Sequence, residues 1–197
     1  MATWGAYYQG AEGVDHFLTN LYHHRVFLAK LLEERPATAL EAGCGTAGMS
    51  VFLQMAGVDV TACDIDASVL DLAKRPAVAW NAPVTVVERD LFALSSAPER
   101  YDVVFSQGVL EHFGDEQIQA AAREALEVAP LFAFSVPGRH YGHKDFGNER
   151  LMDPADWERI LAPVGKAEVT PYFETRTRHT RLLKKPIMLM VVLRRSA

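Results

Sequence analysis

The most chemically suggestive stretch of this sequence is a glycine-rich turn, Leu40-Glu41-Ala42-Gly43-Cys44-Gly45-Thr46-Ala47-Gly48. Gly43, Gly45 and Gly48 keep the G-x-G-x-x-G spacing with which a strand-to-helix turn approaches a dinucleotide pyrophosphate. Asp64 falls about where the acid that holds a ribose would stand. That spacing admits an NAD-dependent oxidoreductase, but Glu41 weighs against it. A carboxylate two residues before the first glycine would repel a pyrophosphate seated on the loop amides and the helix N-terminus. S-adenosylmethionine (SAM) has no phosphate and carries a sulfonium and an α-ammonium, both of which an acid there attracts. Glu41 therefore favours a methyl donor over a nicotinamide dinucleotide. Gly43 and Gly45 let the backbone bend and approach a ligand closely, and the amides around Cys44 are expected to reach the donor's carboxylate. Asp64 can accept hydrogen bonds from both ribose hydroxyls.

These residues need elements to hold them. Val14, Phe17, Leu18, Leu21, Leu28 and Leu32 recur at helical spacing, so residues 13–34 read as an amphipathic helix that Pro36 closes. Strands are expected at 37–42, 58–63, 84–87, 101–106 and 131–136, with helices at 47–56, after Asp66 as N-cap, and from Asp115. Tyr101 to Ser106 is apolar on both faces, as a central parallel strand should be. Asp153-Pro154-Ala155-Asp156 is a strong helix start, followed by strands at 167–173 and 187–193. Strand–helix alternation with a terminal strand pair predicts an α/β three-layer sandwich, with a seven-stranded, mainly parallel sheet and helices on both faces.

The whole chain sets bounds on partners. Its 197 residues carry Lys+Arg 20 against Asp+Glu 25, a net charge of −5, with 49% hydrophobic and 23% charged residues. That usage excludes disordered, collagen-like and disulfide-scaffold classes. The length and the lack of linkers predict one domain over 1–197. Cys44 and Cys63 are too few to staple such a chain, which points to reduced thiols and a cytoplasmic setting. Residues 1–8 have neither a basic nor an apolar leader region, so no secretory signal is expected. The longest apolar run, 187–193, is far short of the ~20 residues a membrane helix needs. The acidic balance argues against a nucleic-acid partner.

Taken in order, the motifs resemble those of the class I SAM-dependent methyltransferases. Glu41-Ala42-Gly43-Cys44-Gly45-Thr46 is similar to motif I of that family. Thr61-Ala62-Cys63-Asp64-Ile65-Asp66, Glu88-Arg89-Asp90-Leu91-Phe92 and the stretch from Tyr101 to Leu110-Glu111-His112-Phe113 resemble the motifs after the second, third and fourth strands. The resemblance covers 37–136 and departs at Ala47, where the family more often has a glycine. It implies an antiparallel last strand, a donor-binding core over 36–136, a lid segment and helix over 1–35, and an acceptor side over 137–197. It also implies SAM as cofactor and S-adenosylhomocysteine (SAH) as product. Implied donor contacts are Glu41, Gly43, Cys44, Gly45, Asp64 on ribose, Ile65 on the adenine face, Asp90 and the Leu91 amide on adenine, and Gln107 near the ammonium.

A small-molecule acceptor is expected, since no added recognition domain exists to hold a macromolecule. Tyr7, Tyr8, His112 and Tyr141 are its candidate contacts, with the segment around Trp4 resembling a lid. His112, Tyr141 and His143 are the candidate bases. His140, His143 and Asp145 suggest metal ligands only superficially, and no metal is expected. The basic stretch 176–185 reads as an exposed hairpin or an anion-docking patch. A non-catalytic SAM-binding protein is a further alternative.

Overall fold

The computed structural model describes residues 4–8, 13–142, 144, 146–174 and 185–195. A short helix α1 (Trp4–Tyr7) precedes the long helix α2 (Val14–Glu33). Then follow β1 (Thr38–Ala42), α3 (Gly48–Met55), β2 (Asp59–Asp64), α4 (Ala67–Ala79) and β3 (Thr85–Glu88). A 3-10 turn (Leu91–Ser96) leads to β4 (Val103–Gln107), a second 3-10 turn (Leu110–His112) and α5 (Asp115–Val128). The chain ends with β5 (Leu131–Pro137), α6 (Pro154–Leu161), β6 (Glu168–Glu174) and β7 (Pro186–Arg194).

The strands form one seven-stranded sheet in the order β3-β2-β1-β4-β5-β7-β6, with β7 antiparallel to both neighbours and the other pairings parallel. The expected mixed α/β sheet is present, each strand within a residue or two of its predicted ends. Residues alternate between two cores, because successive strand side chains point to opposite faces. Leu40, Val104, Phe132 and Phe134 pack with Ile118, Trp157 and Ile160 on the side of α5 and α6. Ala39, Val103, Phe105 and Ala133 pack with Phe27, Leu31, Met49 and Leu53 on the side of α2 and α3. A sheet buried on both faces explains why its strands read as continuous apolar runs.

Two contacts fix the frame at its ends. Asp102 accepts from the Ala37 and Thr38 amides at 2.7 and 2.9 Å, pinning the entries of β1 and β4 together. Asp66 caps α4 by accepting from the Ser68 amide at 2.9 Å, as its position in the sequence suggests. Strand order reverses at β1 and β4, so a crevice opens outside their carboxyl ends, where α/β ligand sites lie. Of the basic stretch 176–185, all but Lys185 lies outside the described residues. Among the described residues no helix is long and apolar enough to cross a membrane.

Candidate functional site

The crevice is built first by the turn leaving β1. Gly43 and Gly45 have φ of 72° and 53°, the left-handed region that favours glycine. A Cβ on Gly43 would lie 2.6 Å from Val109 Cγ2, and one on Gly45 2.6 Å from the Tyr8 hydroxyl. Ala47, where the resembled family prefers glycine, also takes a left-handed φ of 55° and is fully buried. The turn thus has a conformational reason for glycine there, and alanine is the smallest residue that can bear the strain.

The structure departs from one expectation about this loop. The Gly43 and Cys44 amides both donate to the Cys63 carbonyl at 2.9 Å, and the Gly45 amide donates to Asp64 Oδ2 at 3.4 Å. These amides close the turn on β2 and are not offered to a ligand carboxylate. Cys44 contributes its position in the cleft wall instead.

Glu41 ends β1 only 3% exposed, with Oε2 accepting from the Ser50 hydroxyl at 2.5 Å and from its amide at 3.2 Å. Burial lifts its pKa to about 8 against the lowering effect of those bonds. Among the described residues no cation pairs with this carboxyl, and an ammonium or sulfonium ligand would supply one. Asp64, half-buried at the end of β2, also accepts from the Asp66 amide at 3.1 Å, and burial raises its pKa. Asp90 commits Oδ1 to the Phe92 amide at 2.9 Å as the cap of the following turn. Ile65 stands 64% exposed beyond β2.

A cleft of about 770 Å³ lies at these strand ends. Of the sequence candidates, Tyr7, Tyr8, Glu41, Gly43, Cys44, Gln107, His112 and Tyr141 line it. Gly45, Asp64, Ile65, Asp90 and Leu91 lie outside its lining; Gly45 is against the Tyr8 ring. His143 and Asp145 lie outside the described residues, and among the described residues no three side chains gather as metal ligands.

Aromatic rings close one wall. Trp4 stacks on Phe146 with centroids 4.1 Å apart and meets the His112 ring edge-on at 5.1 Å. His112 Nδ1 lies 2.6 Å from Asn148 Oδ1. Donation across that contact leaves the Nε2 lone pair to accept a proton, which is what a base requires. Glu149, buried in the same loop, accepts from the Phe146 and Gly147 amides. Burial alone would raise its pKa; the amides of Phe146, Glu149 and Gly147 outweigh it and hold it low. Arg150 ties the loop down, donating to the Phe113 carbonyl at 2.7 Å and to Asp115 at 2.6 Å.

Sequence reasoning missed Phe146, Asn148 and Glu149, and did not separate His24 from its neighbours. His24 Nδ1 is 2.8 Å from the Tyr172 hydroxyl, and burial pushes its pKa down to about 3, with His23 adding to the shift. Helical spacing on α2 could have marked His24 as inward-facing, four residues after Asn20 and three before Phe27. Nothing local in the sequence joins it to Tyr172.

Comparison with known proteins agrees with this architecture. Residues 39–129 match the family model for a methyltransferase domain. A malonyl-[acyl-carrier protein] O-methyltransferase of Pseudescherichia vulneris is 38% identical over 90 residues, covering 46% of this chain and 34% of that protein. A ubiquinone biosynthesis O-methyltransferase of Photorhabdus laumondii is 33% identical over 79 residues, covering 40% and 33%. The chain thus spans about a third of the length of the curated relatives it matches. The magnesium protoporphyrin IX methyltransferase of Synechocystis PCC 6803, solved with bound SAM, superposes with a TM-score of 0.64 at 24% identity. The match covers 96% of this chain and 88% of that one, a likeness of fold.

Proposed function

We propose that this chain, whose residues 39–129 match the family model for a methyltransferase domain, moves the methyl group of SAM onto a small-molecule acceptor. The observation that carries the reading is Glu41, a buried carboxyl that lines the cleft at the switch point of the sheet, where the positive charge of a ligand would stabilise its ionised form. SAM would supply that charge and, as a sulfonium, an already activated methyl carbon. The remaining donor contacts are assigned by position. Asp64 would accept from the ribose hydroxyls, Ile65 would cover the adenine face, and Asp90 with the Leu91 amide would read the adenine edge. Gln107 would stand by the ammonium with Glu41.

On the acceptor side, Trp4, Tyr7, Tyr8 and Tyr141 would exclude water and hold the acceptor in line with the methyl group. Such positioning is worth up to ~7–11 kcal/mol of barrier. His112 is the best-placed proton acceptor, since Asn148 orients its ring; Tyr141 is the second choice among the described candidates. The cleft's size suits a small molecule. The names of the curated relatives, a malonyl-[acyl-carrier protein] O-methyltransferase and a ubiquinone biosynthesis O-methyltransferase, support oxygen as the methylated atom. No metal is assigned a role in this reading.

Calorimetric titration tests it. SAM and SAH should bind, and NADH should not. Binding of NADH more tightly than either adenosyl ligand would overturn the reading.

A further inference from the structure

Three polar side chains meet inside the otherwise apolar cluster under α2. His24 is 6% exposed, Tyr172 5% and Ser135 fully buried. Their neighbours are Phe27, Phe105, Met188 and Met190. Burying polar groups among such residues is costly unless each finds a hydrogen bond. Here they satisfy one another. Ser135 Oγ is 2.5 Å from Tyr172 Oη, which is 2.8 Å from His24 Nδ1; Ser135 Oγ is also 3.5 Å from that nitrogen.

The hydroxyl protons set the direction. Among the described residues, Ser135 Oγ has no other polar side-chain contact. Each arrangement that places both hydroxyl protons on acceptors makes His24 Nδ1 an acceptor. The ring, kept neutral by burial, then carries its own proton on Nε2.

Position gives that N–H a target. The His24 ring lines the cleft. Ser135 sits in register with Gln107 on β4, and its carbonyl accepts from the Gly108 amide at 2.9 Å, so the trio stands beside the strand end that faces the donor. One helical turn before His24, Asn20 lines the same wall, and its buried Oδ1 has no hydrogen-bond partner among the described residues. On this wall Asn20 Oδ1 is thus a polar atom that the described residues do not satisfy.

We propose that Ser135 and Tyr172 form a hydroxyl relay that fixes the His24 tautomer, and that His24 Nε2–H binds a carboxylate or carbonyl oxygen of a ligand in the cleft. The inference rests on the methyltransferase reading only for which ligand brings the oxygen: the donor's carboxylate or the acceptor. His24 is thereby a binding residue, with Tyr172 and Ser135 positioning it.

The test uses the full chain with ¹⁵N-labelled histidine and long-range ¹H–¹⁵N spectra. One imidazole, absent from His24→Gln, should show an unprotonated Nδ1 and a protonated Nε2. In Tyr172→Phe that signature should change. The Nε2 signal should move with SAH and not with 5′-methylthioadenosine if the donor carboxylate is the source. It should move only when benzoate is added to the SAH-saturated protein if the acceptor is the source. His24→Leu should weaken the responding ligand roughly tenfold and His24→Gln, which keeps an N–H at the same reach, much less. A proton on Nδ1 would overturn the proposal. So would an Nε2 signal that neither SAH nor benzoate moves, or a Tyr172→Phe variant that loses thermal stability while tautomer and binding stay unchanged. Calorimetry separates the two readings: if SAH does not bind at all, the methyltransferase reading fails, and the tautomer and benzoate results alone judge the relay.

Discussion

Glu41 is the residue on which the charge balance of the cleft turns. Its carboxyl sits near pKa 8 in the ligand-free chain because burial outweighs the two bonds from Ser50. Burial thus favours the protonated form of this carboxyl near neutral pH. A bound ammonium favours the ionised form, so binding of SAH should expel the proton. Titrations at pH 7 in buffers of differing ionisation enthalpy should show more proton release by the wild type than by Glu41→Gln. The variant should also bind SAH roughly tenfold more weakly, having lost a charge-assisted contact. Equal proton release by both proteins would move the counter-charge for the donor elsewhere. At this scale the sequence was informative wherever chemistry is local. Glu41, the glycines and Asp64 fall within one strand–turn–helix–strand unit, and spacing alone aligned them. The His112–Asn148 and His24–Tyr172 contacts span 36 and 148 residues, and spacing carries no record of contacts that only the folded sheet creates.

Elements decide whether those side chains stay in place. The described residues between Gly138 and Arg150 carry little regular structure; among their anchors are the Arg139–Asp153 ion pair and Arg150, which holds the Phe113 carbonyl and Asp115 at the start of α5. Arg159 of α6 reaches the other Asp115 oxygen at 3.3 Å. The Arg150 bond, then that of Arg159, lowers the Asp115 pKa. Arg150→Ala should cost about 1 kcal/mol of stability, the pair being one-third exposed. The larger effect should fall on catalysis, because Phe146, Asn148 and Glu149 ride on that segment. Turnover should drop by an order of magnitude or more while the SAH dissociation constant holds; an equal loss in both would place the loop against the donor instead. The aromatic helix α1 makes the opposite prediction. Tyr8 packs on Gly45, and its hydroxyl pKa is raised by burial first and also by the nearby Asp64 and Glu41. Deleting residues 1–8 should therefore raise the SAH dissociation constant roughly tenfold with little change in melting temperature. Strands and helices were legible because short continuous apolar runs, the 3.6-residue pattern of α2, Asp66 and Asp153-Pro154 mark them directly. The α1 helix and the loop fold were not, since tertiary packing of rings, not periodicity, holds them.

At the scale of the whole molecule, the same burial that shapes the cleft sets the pH range in which the fold is most stable. His24 has its pKa pushed from 6.5 to about 3, so it contributes stability fully above pH 6.5, lost as pH falls toward 3. Glu41 runs the other way. Raised from 4.5 to about 8, it contributes fully below pH 4.5, and its contribution is lost as pH rises through 8. Burial pushes the Cys63 thiol up to about 12, which extends that alkaline loss from 9 upward. Below about pH 3.8 the carboxyls of Asp102 and Asp115, held low by the Thr38 amide and by Arg150 respectively, add to the acid limb. Melting temperature should thus peak between pH 4.5 and 6.5, where the His24 and Glu41 slopes oppose each other, and fall on both sides. Glu41→Gln should flatten the limb between 6.5 and 8, and His24→Gln the acid limb between 4.5 and 3. Saturating SAH should act on the wild type as Glu41→Gln does on the free chain. An ammonium beside Glu41 keeps it ionised in the complex, so the proton whose loss destabilises the free fold is already gone. The optimum should move toward higher pH when SAH is added to the wild type, and should not move in Glu41→Gln. A wild-type optimum that stays fixed while SAH raises the melting temperature would show that the ligand binds without engaging the end of β1.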